Sequence, residues 1–296
     1  MKRKIVKQGN NTLTVTLPRA WTQEHGITAG MDLSVAQDGN SIVLSPGNQR
    51  DLPQKSADIG NSGTLLPLIL LNLYRKGYDS VVLSYEKSST LIAVQQLVRD
   101  TGYHIIDHTT TSCTLTALTE GDRVELNEVL RKLFLLVKMR FEAIERHIAT
   151  GEREPLLSSM ALHTMPTKIS TFCHRLLSQT RPHNAHSLFL IVHSLENLDT
   201  QLAEITNSML THQPQSDDLV HLLSETSSLY NQVYACYYRF TIEECSIIMN
   251  RRTTIATRLA ASATTVQAPD EMTYLALNNS LLFLEQMMRE TLAMRV

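Results

Sequence analysis

Six cations crowd the first fifty residues of this chain. They are Lys2, Arg3, Lys4, Lys7, Arg19 and Arg50, set against Glu24, Asp32 and Asp38. The whole 296-residue chain carries −2, so a segment at +3 leaves −5 on the remainder. Such an asymmetry fits a phosphate-binding face at the N-terminal end; a plain solvated surface accounts for the same charges. Further along, Glu196 and Asp199 lie in Ser194-Leu195-Glu196-Asn197-Leu198-Asp199. At 100° per residue Asp199 points within roughly 20° of Leu188 and 40° of Leu195, on an apolar stripe. A carboxylate there is costly unless it is paired or bound to a cation. Metal binding is one reading, with His193 and Glu196 beside it; a helix–helix hydrogen bond or salt bridge to a basic neighbour is the other.

The remaining reactive groups suggest less. Cys113, Cys173, Cys236 and Cys245 show no CxxC pairing, so buried thiols are expected rather than a zinc site or a disulfide framework. His183-x-x-His186 lacks a third ligand nearby, Arg251-Arg252 reads as an exposed helix feature, and Met287-Met288 reads as core filler. There is no nucleophile–base pair, no complete metal ligand set and no Gly-rich phosphate loop, so no enzyme is expected. Lys2-Arg3-Lys4 is not followed by an apolar stretch, and Leu65–Leu71, interrupted by Pro67, is far shorter than the ~20 residues of a membrane span. A cytoplasmic protein, not embedded in a membrane, is expected.

The elements that must position these groups fall into segments. Thr12–Leu17 alternates Leu13, Val15 and Leu17 with Thr12, Thr14 and Thr16, a half-buried strand. Gly9-Asn10-Asn11 is a turn, and Pro18 starts a short helix over Ala20–His25 that Gly26 closes. Leu33 and Val35 open a second strand, Asp38-Gly39-Asn40 turns, and Ile42-Val43-Leu44 returns. So few large apolar groups make a marginal core, which pairing two copies would remedy. Residues 47–63, rich in Pro, Gly, Gln, Asp and Ser, read as a linker. A small α/β domain over 64–120 follows, with helices over Thr64–Lys76 and Thr90–Thr101. Its strands are Val81–Leu83, Tyr103–Asp107 and Cys113–Leu118, and Thr109–Ser112 forms a polar hairpin loop. Residues 121–296 are helical, with spans 123–150, 155–180, 184–211, 216–239, 241–266 and 271–294 joined by short connections, as in an antiparallel bundle. Ser194–Leu198 and Phe283–Met287 hold Glu196 and Glu285 in similar strings near the end of each set of three helices, which suggests a duplicated unit.

Lys7-x-Gly9-Asn10, Leu17-Pro18-Arg19, Gly26-Ile27 and Gly30-x-Asp32-Leu33-x-Val35 resemble the AbrB/MazE/SpoVT DNA-binding family over residues 1–46. The resemblance implies hairpins from two chains interleaved into one barrel, each chain contributing half. Its DNA-facing side would use Lys4, Lys7, Asn10, Asn11, Thr12 and Arg19. Lys and Arg would contact phosphates, and Asn or Arg would read base edges.

Residues 123–295 resemble PhoU, built from two three-helix repeats. Together the two halves look like archaeal-type phosphate-uptake regulators. This implies a multidomain α+β chain: barrel half, small α/β middle domain and all-α bundle. It also implies double-stranded DNA as partner, a homodimer through the N-terminal domain, and a transporter or signalling component as protein partner of the helical half. The only cofactor it offers is a divalent or iron-type metal ion on carboxylates one turn apart. Here the chain departs from the family: Glu196 is followed by Asp199 at i+3, and Glu285 by the cation Arg289 at i+4. An antitoxin-like or adaptor protein, with a partner on the bundle and weak or autoregulatory DNA binding, is the competing expectation.

Overall fold

The computed structural model describes residues 2–9, 12–38, 41–46, 54–60, 63–117, 125–212, 216–263 and 270–296. It is a mixed α+β chain that divides into two units, Met1–Pro53 and Gln54–Val296.

The first unit holds two hairpins and a short helix. Strand β1 (Ile5–Gln8) pairs antiparallel with β2 (Thr12–Val15), and β3 (Leu33–Asp38) pairs antiparallel with β4 (Ser41–Pro46). Between them, α1 (Arg19–Glu24) starts after Pro18, whose fixed φ of −64° suits a helix entry. Gly26, at φ +61°, ends it, and the Ile27 N–H returns to the Thr22 carbonyl at 2.8 Å.

The second unit begins with a four-stranded sheet in the order β5-β6-β8-β7. Strand β5 (Gln54–Gly60) runs parallel to β6 (Ser80–Tyr85); β8 (Ser112–Ala117) is antiparallel to both β6 and β7 (Tyr103–His108). Residues 54–60 therefore correct the linker reading of 47–63. The strand lies at a sheet edge and sinks only Ile59 fully, so its mostly polar composition hid it. Residues 47–53 and 61–62 lie outside the described residues. Helix α2 (Leu66–Arg75) packs Leu66, Leu70, Leu73 and Tyr74 inward, and α3 (Ser89–Leu97) adds Val94. They meet Val81, Leu83, Tyr85, Cys113 and Leu115 in one core. Thr109–Ser112 is the hairpin loop, with the Thr109 hydroxyl accepting the Thr111 and Ser112 N–H groups.

Seven helices follow among the described residues: α4 (Leu126–Thr150), α5 (Glu154–Ala161), α6 (Met165–Thr180), α7 (Ala185–Thr211), α8 (Asp217–Tyr238), α9 (Ile242–Ala263) and α10 (Glu271–Ala293). The single helix expected over 155–180 is two. Pro166 sits in the first turn of α6, the one place in a helix where its missing N–H and its ring do no harm. Helices α4, α6 and α7 pack on one another, and so do α8, α9 and α10. The largest interface joins α7 to α10. Thr273 donates to the Ser208 hydroxyl at 3.1 Å and the Asn279 side chain to the Gln201 Oε1 at 3.0 Å, which makes α7 and α10 antiparallel.

The small α/β domain and the bundle are not separate bodies, as the division at 120/121 implied. Phe172 of α6 packs against both cores. Arg175 of α6 donates to the Asp79 carboxylate and, at 3.1 and 2.9 Å, to the Tyr74 and Tyr78 carbonyls, with its guanidinium 4.6 Å from the Tyr74 ring centre. At Gly102, φ is +83° and an added Cβ would stand 2.6 Å from the Tyr74 hydroxyl oxygen, so glycine there lets the Tyr74 ring seat.

Candidate nucleic-acid interface

The register of the first hairpin decides how its polar groups are presented. Lys7 stands opposite Leu13, and Ile5 opposite Val15, so these four share one face. Thr12 stands opposite Gln8, and Thr14 opposite Val6, on the other. Lys7 and Thr12 therefore both lie next to the turn but on opposite sides of the ribbon. Arg19 opens α1 and Lys4 directly precedes β1; Lys4, Lys7, Thr12 and Arg19 are all exposed. Asn10 and Asn11 lie outside the described residues.

The apolar residues of this unit lack cover. Ile5 and Leu13 are each 67% exposed, Val35 67% and Ile42 69%. On the second hairpin Leu33, Val35, Ile42 and Leu44 share one face by register. Among the residues of the unit whose burial is described, not one is buried. Burying a side chain of this kind is worth ~1.5–3 kcal/mol. Ile5, Leu13, Val35 and Ile42 forgo this and form exposed apolar surface of the kind that marks interaction sites.

Of the two roles open to the carboxylates on α7, the structure shows the salt bridge to a basic neighbour. Glu196 accepts from Arg75 of α2, with Nη2 at 3.2 Å from both oxygens. Asp199 is buried and takes a two-pronged bond from Arg140 of α4, Nε to Oδ1 at 2.7 Å and Nη2 to Oδ2 at 3.1 Å. Burial pushes the Asp199 carboxyl above its ordinary value, against the pull of Arg140. His193 hydrogen-bonds to Asn197 instead of flanking a ligand. Metal at Glu196 and Asp199 does not fit this arrangement: each carboxylate faces a different guanidinium, whose charge stands where a cation would have to sit. On α10, Glu285 pairs with Arg289 at 2.6 Å and with Arg252 of α9 at 2.9 Å. Arg252 is thus a cross-helix partner, and Arg251 bonds Gln232 at 2.9 Å, which corrects the reading of both as merely exposed. Among the described residues no three His, Cys, Asp or Glu side chains come together as a ligand set. All four cysteines are buried and free, as the spacing predicted, with burial pushing the Cys113 thiol up to about 11.

Sequence reasoning passed over Arg75, Arg140 and Arg175. One signal was available: Arg140 continues the buried stripe Leu133, Val137, Phe141, Ile144. A cation in such a stripe needs a buried carboxylate, and Asp199 had been singled out for the same reason.

Residues 6–51 match the family model described as antidote-toxin recognition MazE, bacterial antitoxin. Comparison with curated proteins and with solved structures gives no match. The likeness covers most of the first unit, including both hairpins and α1, and so bears on the segment that holds Lys7, Thr12 and Arg19. Among the described residues no helix is long and apolar enough to cross a membrane.

Proposed function

We propose that the chain is a dimeric DNA-binding transcriptional regulator. The observation that carries this is the exposure of Ile5, Leu13, Val15, Val35 and Ile42 in the first unit, joined to its exposed basic groups. A second copy supplies the missing core by interleaving hairpins into a shared barrel, and the Ile5, Leu13 and Val15 face closes against it. Lys7 and Thr12, on opposite sides of the ribbon but both beside its turn, then meet DNA at the turn end together with Asn10 and Asn11. Lys7 projects there past the rim of the covered face, and Lys4 and Arg19, doubled by symmetry, add phosphate contacts. The likeness to a MazE-type antitoxin segment supports this reading.

The second unit is the sensing or partner-binding half. Its process is phosphate uptake, and its partner a transporter or signalling component. Support comes from the two mutually packed helix groups with Glu196 and Glu285 on their last helices, α7 and α10, as in PhoU-like repeats. The proposal includes no catalytic step and no metal, and places the chain in the cytoplasm.

The matching model's description favours a second reading, an antitoxin-like or adaptor protein with a protein partner on the bundle. Fluorescence anisotropy on a duplex from the region upstream of the chain's own coding sequence separates the two. The regulator reading expects binding by the purified chain alone, lost together with dimerisation in Val35→Glu/Ile42→Glu. Binding that appears only after a stoichiometric protein partner is added favours the second reading.

A further inference from the structure

The Arg140–Asp199 pair forms the floor of a cavity of ≈ 250 Å³ between α4, α5 and α6. Its walls are mostly apolar, with Leu136, Met139 and Ala143 from α4, Leu162 just after α5 and Pro166 from α6. Two exposed charges of opposite sign also line it, Glu142 and Arg146, which pair with Lys138 and Glu152 at 3.7 and 3.5 Å. A buried ion pair is seldom the most stable filling for such a place. Well-packed apolar residues are commonly as good or better, because desolvating two charges offsets most of their attraction. Here the pair is kept and the space above it is left open. Empty apolar cavities of ~150 Å³ already take a benzene-sized guest.

The floor states what head group a guest must carry. Arg140 and Asp199 cancel each other, so the floor has no net charge. A guanidinium has five N–H groups. Nε and one Nη2 N–H go to Asp199, and Nη1 donates to the Ser159 hydroxyl at 3.1 Å and to the Met160 sulfur at 3.6 Å. These contacts leave a second Nη2 N–H and further lone pairs on Asp199 uncommitted. An anionic head that takes the free Nη2 N–H is repelled by the Asp199 carboxylate beside it, and a cationic head that takes the free lone pairs is repelled by the Arg140 guanidinium. A neutral head that both donates and accepts, such as a carboxamide or a hydroxyl, can bond to both partners without breaking the pair.

Helix α5 makes the wall easy to adjust. It is 8 residues long with Leu156 as its single buried residue, and it packs on α4 and α7. We infer that this cavity is a binding site for a small uncharged ligand with an apolar body and one amide- or hydroxyl-type head. The inference does not rest on DNA binding by the first unit.

Three probes of one shape and different charge test it on the full chain: benzamide, benzoate and benzamidine, each titrated by saturation-transfer NMR. The expected result is saturable benzamide binding, with benzoate and benzamidine about tenfold weaker or more. Ala143→Phe, which fills the space, removes benzamide binding. Should that variant unfold, Leu162→Trp at the exposed rim blocks the same entrance without touching the core. Equal binding of all three probes overturns the inference. So does benzamide binding that survives both variants, or no binding by any probe.

Discussion

Arg175 of α6 and Asp79, directly before β6, form an ion pair whose side chains are only 4% and 8% exposed. They are 96 residues apart in the chain, and they fasten the α/β layer to the helical bundle. Arg175 also satisfies the Tyr74 and Tyr78 carbonyls, and Gln179, one turn further along α6, donates to Asp79 and to the Gly77 carbonyl. Removing one partner of such a pair leaves the other buried and uncompensated, which costs ~3–5 kcal/mol. Arg175→Ala is therefore expected to lower urea stability by about that amount. Hydrogen exchange should rise first in α2 and β6. An unchanged exchange pattern there would show that the layer is held by its apolar contacts alone.

Arg140 and Asp199 should be strongly non-additive. Asp199→Ala alone strands a buried guanidinium and is expected to cost ~3–5 kcal/mol, whereas Arg140→Met/Asp199→Leu together should cost clearly less. A double-mutant cycle from urea unfolding measures this. Arg75 and Glu196 are 24% and 17% exposed at the side chain, so Glu196→Gln should cost about 1 kcal/mol or less. Adding Mn²⁺ or Fe²⁺ should leave the melting temperature of the wild type unchanged; an upward shift abolished in Asp199→Asn would restore the metal reading.

His174 of α6 gives a pH dependence with a definite sign. Its ring is buried against Phe189 at 4.4 Å between centroids, and neither nitrogen has a hydrogen-bond partner among the described residues. Burial first, then Arg75 and His193, holds its pKa down to about 3 against an ordinary 6.5. The unfolded chain therefore binds this proton more readily than the folded one. The neutral ring's contribution is fully present above pH ~6.5 and lost as pH falls toward 3, at most about 1.4 kcal/mol per pH unit. Between pH 7 and pH 5 this amounts to roughly 2 kcal/mol. Unfolding free energies at the two pH values should differ by less in His174→Leu than in the wild type. Equal differences would place the acid sensitivity elsewhere.

Much of the fold could be read from the chain because its helices carry long, regular apolar stripes. Leu130, Leu133, Val137, Phe141 and Ile144 mark α4 unaided, and Leu195, Leu198, Leu202 and Ile205 mark α7. Strand β5 escaped because over 55–60 its apolar inward residues are just Ala57 and Ile59, and it takes its stability from pairing with β6, a partner that composition does not reveal. The break at Pro166 was present in the sequence, but the apolar period on either side outweighed it. The stripe marks Arg140 as buried, but which carboxylate each arginine meets was out of reach for another reason. Arg140–Asp199 and Arg175–Asp79 join residues 59 and 96 apart, and local spacing cannot report contacts over that range. The nature of the N-terminal residues was legible, but not their arrangement. Only the register shows that Lys7 sides with Leu13, away from Thr12.

Association through the first unit should be visible in solution. Leu13→Lys/Val35→Lys places charges on two faces argued to be covered by a second copy. Sedimentation equilibrium is expected to show a dimer for the wild type and a monomer for the variant, with the helical far-UV signal of the second unit retained. A variant that remains dimeric would move the interface to the second unit.

The most direct test of the central claim is a salt titration of DNA binding, wild type beside Lys7→Ala/Arg19→Ala. Each phosphate contact contributes about 0.9 to the slope of log K against log salt. Two cations lost from each of two copies should flatten that slope by roughly 3.5 while leaving the dimer intact. A dimer whose slope is unchanged in the variant, or that binds no DNA even at low salt, would contradict the assignment of this face to DNA.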